Sequence, residues 1–191
     1  MTDEKSDNVK EVDSDKLFQT LDRVTAWIEN CDTKASIVLG GIGVVFGILL
    51  TSDYVNKTIE IFQHMIYNIG FWSGMYMVIS TLAFFTVVAG AFFLIRVLIP
   101  KTNPQTYREK GIDSDSLIFF QTIAKNKTLQ AYKSKVIDCT EESFCNDIIS
   151  QIYICALRCD EKFYNYKTGL ILSILGFTVF AVMMVIGAFI V

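Results

Sequence analysis

The chain has 191 residues, of which 52% are hydrophobic and 19% are charged, with a formal net charge of −3. Its charges are segregated, because residues 35–52, 61–95 and 168–191 contain no Asp, Glu, Lys or Arg. Three such segments would leave too little polar sequence to cover them in a soluble core, and each is long enough to cross about 30 Å of hydrocarbon as a helix. The sequence therefore excludes an ordinary soluble domain and predicts an all-α integral membrane protein.

The N-terminal part divides into a tail and a helix. Residues 1–13 are charged and lack apolar periodicity, so we predict a disordered tail. Apolar residues then recur at alternating steps of four and three, which predicts a cytoplasmic helix over 14–34. This stripe comprises Leu17, Leu21, Val24, Ile28, Cys31 and Ala35. No Pro or Gly interrupts it, so the helix should continue into a first transmembrane helix over 35–52.

A connection and a second span follow. Residues 53–68 are predicted as an external loop and residues 69–99 as the second transmembrane helix. The start of that helix carries aromatic residues typical of a belt at headgroup level: Phe71, Trp72 and Tyr76. In the first span, Gly43 and Gly47 have the small-xxx-small spacing that favours close packing of membrane helices.

Residues 100–167 are predicted to form a helical region on one side of the membrane. One helix of about five turns should begin near Leu117 and end near Val136, and Asp138 with Glu141 resembles a capping box. No Pro or Gly occurs from there to Thr168. One long helix is therefore predicted to enter the membrane as the third transmembrane helix, 168–191. Its apolar stripe comprises Phe144, Ile148, Ile152, Cys155, Cys159, Phe163 and Tyr166.

Lysine and arginine indicate the orientation. Residues 1–34 hold five of them and residues 101–167 hold ten, whereas the connection 53–68 has only Lys57. Because cytoplasmic loops carry the excess of positive residues, the N-terminus and 100–167 are predicted to lie in the cytoplasm. The connection and the C-terminus are then outside, and the cytoplasmic helices form a stalk or bundle.

Groups that support catalysis are sparse. The single histidine, His64, cannot by itself supply a nucleophile triad or a zinc site with several histidines. The second span has Arg96 near its end. Otherwise no span carries the charged groups that ion-coupled transporters place within the membrane. We therefore predict no catalytic residue, no metal site and no enzymatic activity, while a pore between subunits stays open.

The predicted cytoplasmic side offers cations that could hold an anion. Lys34 follows Asp32 at the start of the first span, and Arg158 and Lys162 lie one turn apart on the long helix. Snorkelling or solvent exposure is the simpler interpretation of any one of these cations. A carboxylate beside the membrane needs a partner, and we expect Lys34 or Arg158 to pair with Asp32.

Six short motifs lie in and around the three predicted spans. They are Leu21-Asp22-Arg23, Trp27-Ile28, Cys31 through Ser36, Leu117 through Phe120, Gln151-Ile152-Tyr153 and Lys162-Phe163-Tyr164. From about Leu17 to the C-terminus this pattern resembles the Pycsar transmembrane effectors, a family of bacterial anti-phage proteins. At Gln121 the chain departs from the family pattern, which has a small residue such as glycine there.

The resemblance implies an activity. Such an effector senses a cyclic pyrimidine mononucleotide, cyclic CMP or cyclic UMP, made by a cognate pyrimidine cyclase during infection. It then disrupts the bacterial inner membrane, and the infected cell stops growing or dies. The implied protein is a multi-pass membrane protein and a homo-oligomer, with the lipid bilayer as a partner, no nucleic acid, and no cofactor other than this activating ligand.

We expect the nucleotide to bind the cytoplasmic helices between subunits, because one chain offers few walls for a pocket. A cation would meet the phosphate and an aromatic ring would stack on the base. The predicted ligand-binding residues are Asp32, Lys34, Phe119, Phe120, Arg158, Lys162 and Tyr164. The alternative function is a non-enzymatic membrane anchor or scaffold that recruits a cytoplasmic partner through the stripe of the first helix. The sequence leaves open which nucleotide acts, how many subunits assemble, and whether the membrane damage is a pore or general disruption.

Overall fold

The computed structural model describes residues 13–68, 70–100 and 115–190, and every regular element in these ranges is a helix. In chain order they are α1 (Ser14–Leu49), α2 (Ser52–Tyr67), α3 (Phe71–Leu98), α4 (Phe120–Ala124), α5 (Leu129–Ile137) and α6 (Glu141–Ile190). Helices α1, α3 and α6 are long and apolar enough to cross a membrane. The predictions of an all-helical chain and three candidate spans are confirmed. The predicted tail lies outside the described residues, apart from Asp13.

The connection 53–68 is helical, where a loop was predicted. Helix α2 buries Ile61 and Met65, which lie four residues apart and therefore on one face. They form a hydrophobic cluster with the buried Tyr76 of α3. The connection thus forms an amphipathic helix, of which one apolar face is covered by α3.

The single helix predicted between Leu117 and Val136 is instead two short helices, α4 and α5. The side-chain amide of Asn126 donates to the Thr122 and Ile123 carbonyls at the end of α4. The Thr128 hydroxyl then accepts from the Ala131 N–H and caps α5. Asn and Thr compete with helix hydrogen bonds in this way, so they end one helix and start the next.

Helix α6 starts with a different cap from the predicted one. Thr140 precedes the helix, and its hydroxyl accepts from the Ser143 N–H at 3.2 Å. Asp138 is the C-terminal cap residue of α5 instead. From Glu141 the helix runs without a break to Ile190, so the prediction of one long helix is confirmed.

The described residues form two compact units. Unit 1 comprises residues 13–27 and 115–159, and unit 2 comprises 28–68, 70–100 and 160–190. Helices α1 and α6 contribute residues to both. The core of unit 1 includes Val24 of α1 and Ile148 of α6, both buried, and the rings of Phe18 and Phe144 lie 6.0 Å apart.

The predicted apolar stripe of α1 is confirmed, and that of α6 is confirmed in part. On α1, Val24 is buried, and Cys31 and Ala35 are fully buried. On α6, Ile148 and Cys159 are buried, but Phe163 is 40% exposed and Asn165 is buried instead. The amide of Asn165 donates to the Glu161 carbonyl, four residues earlier, so its burial leaves that donor satisfied.

Helices α3 and α6 approach each other through glycine in unit 2. A Cβ atom on Gly176 would lie 2.8 Å from the Val87 nitrogen and 2.9 Å from the Ala83 carbonyl oxygen. A Cβ on Gly90 would lie 2.6 Å from the Ser173 nitrogen. Only residues without a side chain permit two backbones to lie this close, as is common between membrane helices.

The glycines of α1 make no such close approach to the residues that the structure describes. Apart from the adjacent backbone of α1, no described atom lies within 4 Å of where a Cβ would stand on Gly43 or Gly47. The packing role predicted for this pair therefore has no counterpart among the described residues and stays a prediction. The spacing of small residues identifies a face on which close contact is sterically allowed, but it does not identify the partner.

Tyr76 lies inside unit 2 and not in an aromatic belt. It is 5% exposed, and its hydroxyl donates to the Met183 carbonyl of α6 at 2.8 Å. Phe71 and Trp72 are more than 70% exposed. The prediction that Tyr76 belongs to an aromatic belt is wrong. Tyr76 faces α6, where a backbone oxygen accepts a hydrogen bond from its hydroxyl.

Candidate functional site

The ammonium group of Lys162 joins three helices of unit 2. Its Nζ donates to Asp32 Oδ1 of α1 at 2.5 Å and to the Val97 carbonyl oxygen of α3 at 2.8 Å. The side chain of Lys162 is 18% exposed and that of Asp32 is 37% exposed. One lysine of α6 therefore holds an oxygen acceptor from each of the other two candidate spans.

The structure pairs Asp32 with Lys162 and not with Lys34, which was one of the two expected partners. Lys34 lies two residues further along α1, and residues two apart on a helix face different directions. It is exposed, whereas the face of Asp32 is directed at Lys162. Sequence spacing within α1 could not indicate this pair, since its members are 130 residues apart.

Lys162 also caps the C-terminus of α3. The Val97 carbonyl is among the last four of that helix, which have no partner within the helix itself. A positive charge at this end also interacts favourably with the helix dipole. Fully buried side chains from α1 and α3 form a cluster beside the contact: Cys31, Ala35, Leu94 and Val97.

Unit 1 holds a second group with the chemistry of a ligand site. The guanidinium carbon of Arg158 lies 5.8 Å from the centroid of the Phe119 ring, within the range of a cation–π interaction. The rings of Phe119 and Phe120 lie 4.9 Å apart, and Phe120 is 62% exposed. A cation and two adjacent rings are the components that bind the phosphate and the base of a nucleotide.

Side chains fix the backbone that carries Phe119. Asp147 Oδ2 accepts from the Leu117 N–H at 2.8 Å, and Tyr132 donates to the Leu117 carbonyl at 2.9 Å. The Ser116 hydroxyl accepts from the Phe119 N–H at 3.1 Å. These bonds hold the segment before α4 in one conformation, so that Phe119 is positioned before any ligand binds.

Sequence reasoning missed Asp147. This carboxylate is 2% exposed and lies between Phe144 and Ile148, two members of the predicted apolar stripe. A charged residue at a buried helical position requires a hydrogen-bond partner, and that requirement was the available signal. The identity of the partner, the Leu117 N–H, depends on the fold of the segment before α4.

The structure divides the predicted ligand-binding residues between the two units. Unit 2 contains Asp32, Lys34, Lys162 and Tyr164, and unit 1 contains Phe119, Phe120 and Arg158. It brings together Asp32 with Lys162 and Arg158 with Phe119. Lys34 is exposed, and Tyr164 is 67% exposed.

Cys155 of unit 1 lies in surroundings that disfavour its thiolate form. Burial raises the pKa of Cys155, and the positive charge of Arg158 opposes this only in part. The thiolate is the form that attacks electrophiles or binds a metal, so the raised pKa favours a packing role. Within the ranges that the structure describes, no three His, Cys, Asp or Glu side chains converge as metal ligands would.

Unit 2 contains an apolar cavity of about 410 Å³. Phe46 of α1, Phe84 of α3 and Phe177 of α6 contribute to its walls, and its polar lining residues are Thr58 and Ser173. A phosphate moved into such a site would lose its hydration without gaining a cation. The cavity is therefore unsuited to a nucleotide.

Three helices of membrane length and a smaller helical unit with buried polar contacts define an all-helical membrane protein. The sequence-family model of the Pycsar effector protein domain matches residues 16–190 of this chain. The chain therefore belongs to the Pycsar effector family, whose members are anti-phage defence effectors, as its motifs predicted. The Pycsar effector protein GmPycTM of Gulbenkiania mobilis is 28% identical over 163 residues, which cover 81% of this chain and 83% of that protein. No solved structure matches the chain.

Proposed function

We propose that this effector senses cyclic CMP or cyclic UMP and then disrupts the inner membrane of the infected cell. Family membership supports the defence role, and the three candidate spans supply the membrane element. The observation that carries the sensing step is the contact of Arg158 with Phe119 on a backbone fixed by Asp147. This group could bind a phosphate and a flat base together.

In the orientation that we propose, this group lies where a cytoplasmic nucleotide can reach it. The excess of Lys and Arg in residues 1–34 and 101–167 supports a cytoplasmic position for both segments. The connection 53–68 and the C-terminus then lie outside, and the three helices cross the inner membrane. Unit 1 faces the compartment in which a cyclase would release the nucleotide, and copies of the chain assemble as a homo-oligomer around the ligand.

A thermal-shift titration tests the sensing step. The detergent-purified protein should be stabilised by cyclic CMP or cyclic UMP and not by cyclic AMP or cyclic GMP. A ligand at a hundredfold excess over its Kd raises the melting temperature of a chain of this size by roughly 5–10 °C. If none of the four nucleotides shifts a folded sample, sensing is contradicted. A chain that is also harmless when overproduced with a cyclase would then be the membrane scaffold.

A matched pair of variants tests the site. Alanine at Lys34, Arg158 and Lys162 together should abolish the shift caused by the active nucleotide. Alanine at Lys125, Lys127 and Lys133 removes the same charge from exposed positions and should preserve it. A nucleotide shift that persists in the first triple variant would show that the phosphate binds elsewhere.

A further inference from the structure

The apolar cavity of unit 2 is built from membrane-spanning sequence. Its walls come from α1, α2, α3 and α6. The wall residues on α1, α3 and α6 all belong to the charge-free segments 35–52, 61–95 and 168–191, which lie on the three helices that are long and apolar enough to cross a membrane. The medium next to the cavity is therefore the hydrocarbon of the bilayer.

Water is a poor occupant of this cavity. Among the described residues of its wall, only Thr58 and Ser173 carry a polar side chain, and the Thr58 hydroxyl already donates to the Tyr54 carbonyl of its own helix at 2.7 Å. A buried water molecule needs about three polar partners, and an apolar cavity of about 150 Å³ stays dry. Walls that face an empty space lose van der Waals contacts, so an apolar occupant would stabilise the surrounding helices.

We propose that the cavity binds one acyl chain of a membrane phospholipid. The cavity is open in part to the surroundings of the helices, so a chain can enter from the bilayer while its headgroup stays at the membrane surface. Van der Waals packing is what drives association inside a bilayer, and a flexible chain can follow the irregular walls. This binding does not involve the nucleotide and is separate from the proposed sensing step.

The volume of the cavity favours a lipid chain over a helix of a second copy. One turn of an α-helix, about 10 Å across and 5.4 Å long, takes up roughly 400 Å³. The cavity, at about 410 Å³, has room for one such turn, whereas a helix of about 20 residues that crosses the membrane has more than five. An acyl chain is thin enough to lie within this space.

Aromatic contacts hold the walls of the cavity apart. The Phe84 ring of α3 lies 6.2 Å from the Phe46 ring of α1 and 6.4 Å from the Phe180 ring of α6, centroid to centroid. All three rings belong to the wall, and these distances are typical of favourable aromatic pairs. The chain therefore meets a site that is already formed, which lowers the cost of binding.

Gly41 is the position at which the cavity can be filled by substitution. It belongs to the wall, and apart from the adjacent backbone of α1, no described atom lies within 4 Å of where its Cβ would stand. A large side chain at Gly41 can therefore occupy the site without a clash at its Cβ. The preceding residue, Gly40, is equally open but is not part of the wall, so it provides the matched control.

Photolabelling of the variants Gly41→Phe and Gly40→Phe tests the site. The full-length protein is reconstituted into vesicles of phosphatidylethanolamine and phosphatidylglycerol, a small part of which carries a diazirine on the acyl chain. Mass spectrometry then compares labelling of Phe177, in the wall, with that of Leu175, which is 58% exposed on the same helix outside the wall. Because a ring and a lipid chain cannot share one space, we expect Gly41→Phe to lower the Phe177-to-Leu175 ratio about fivefold or more. Gly40→Phe should leave this ratio as in the wild type.

An unchanged ratio in Gly41→Phe, or an equal fall in both variants, would overturn the inference. The wild-type protein gives a test that does not depend on the folding of a variant, because its Phe177 should be labelled as well as its Leu175. Labelling of Leu175 without Phe177 in the wild type would mean that something else fills the cavity, such as side chains of a second copy. That result would also overturn the inference.

Discussion

Gly176→Leu should prevent the folding of unit 2. The Cβ of any side chain at this position would stand 2.8 Å from the Val87 nitrogen and 2.9 Å from the Ala83 carbonyl oxygen. Both are backbone atoms of α3, which cannot rotate away as a side chain can. The two helices must separate, and we expect a loss of about 3 kcal/mol or more, at the upper end of the cost of overpacking. Fluorescence-detected gel filtration of the detergent extract should show aggregate in place of a single peak.

Gly43→Leu is the matched control for this variant. It makes the same chemical change in a candidate span, but no described atom beyond the adjacent backbone of α1 lies within 4 Å of the added Cβ. Leucine also has a higher helix propensity than glycine, so the folded peak should be retained. Equal loss of both variants would contradict the close contact of α3 with α6.

Ile148→Ala should destabilise unit 1 by about 2–5 kcal/mol, the usual cost of truncating a fully buried isoleucine. Its side chain is 0% exposed in the core that α6 forms with α1. The variant leaves a cavity that rigid neighbouring helices fill only in part. The melting temperature and the urea midpoint of the purified protein both report the loss.

The neighbouring residue supplies the control. Ile149 is 43% exposed, so Ile149→Ala makes the same change of side chain on the same helix and should cost less than about 1 kcal/mol. The change in helix propensity is the same for both variants, so their difference reports burial alone. Similar costs would mean that the buried face of α6 is assigned wrongly.

The helices and candidate spans could be predicted because their signal is local. Segments free of charge are visible in the sequence, and the absence of Pro and Gly between Glu141 and Thr168 predicted that α6 continues into the third span. The stripe at Val24, Cys31 and Ala35 was likewise predictable, because the repeat of an α-helix fixes which residues share a face.

Contacts between helices could not be predicted in the same way. Spacing shows which residues share a helix face but not which helix covers that face. It indicated close helix packing at Gly43 and Gly47, whereas the close contacts between α3 and α6 are made at Gly90 and Gly176. The pairing of Lys162 with Asp32 depends on the rotation of α6 against α1. Among the residues of the candidate site, Asp147 could have been found from the sequence, because it is a carboxylate at a position of the apolar stripe. Nothing in the local sequence identified its partner.

The break between α4 and α5 shows the limit of periodicity over short segments. The apolar spacing was compatible with one helix. The helix is interrupted at Asn126 and Thr128, whose side chains form hydrogen bonds with backbone groups. Such residues can continue a helix or cap it, and the free-energy difference between these alternatives is small. The surrounding fold therefore decides between them.

Dye release from proteoliposomes tests the central claim most directly. The full-length protein is reconstituted into vesicles of phosphatidylethanolamine and phosphatidylglycerol that contain a self-quenching dye. Addition of cyclic CMP or cyclic UMP should release the dye, whereas cyclic AMP, cyclic GMP and protein-free vesicles should give no release. Retention of the dye by vesicles whose protein has been shown to bind the nucleotide would contradict membrane disruption as the output of this effector.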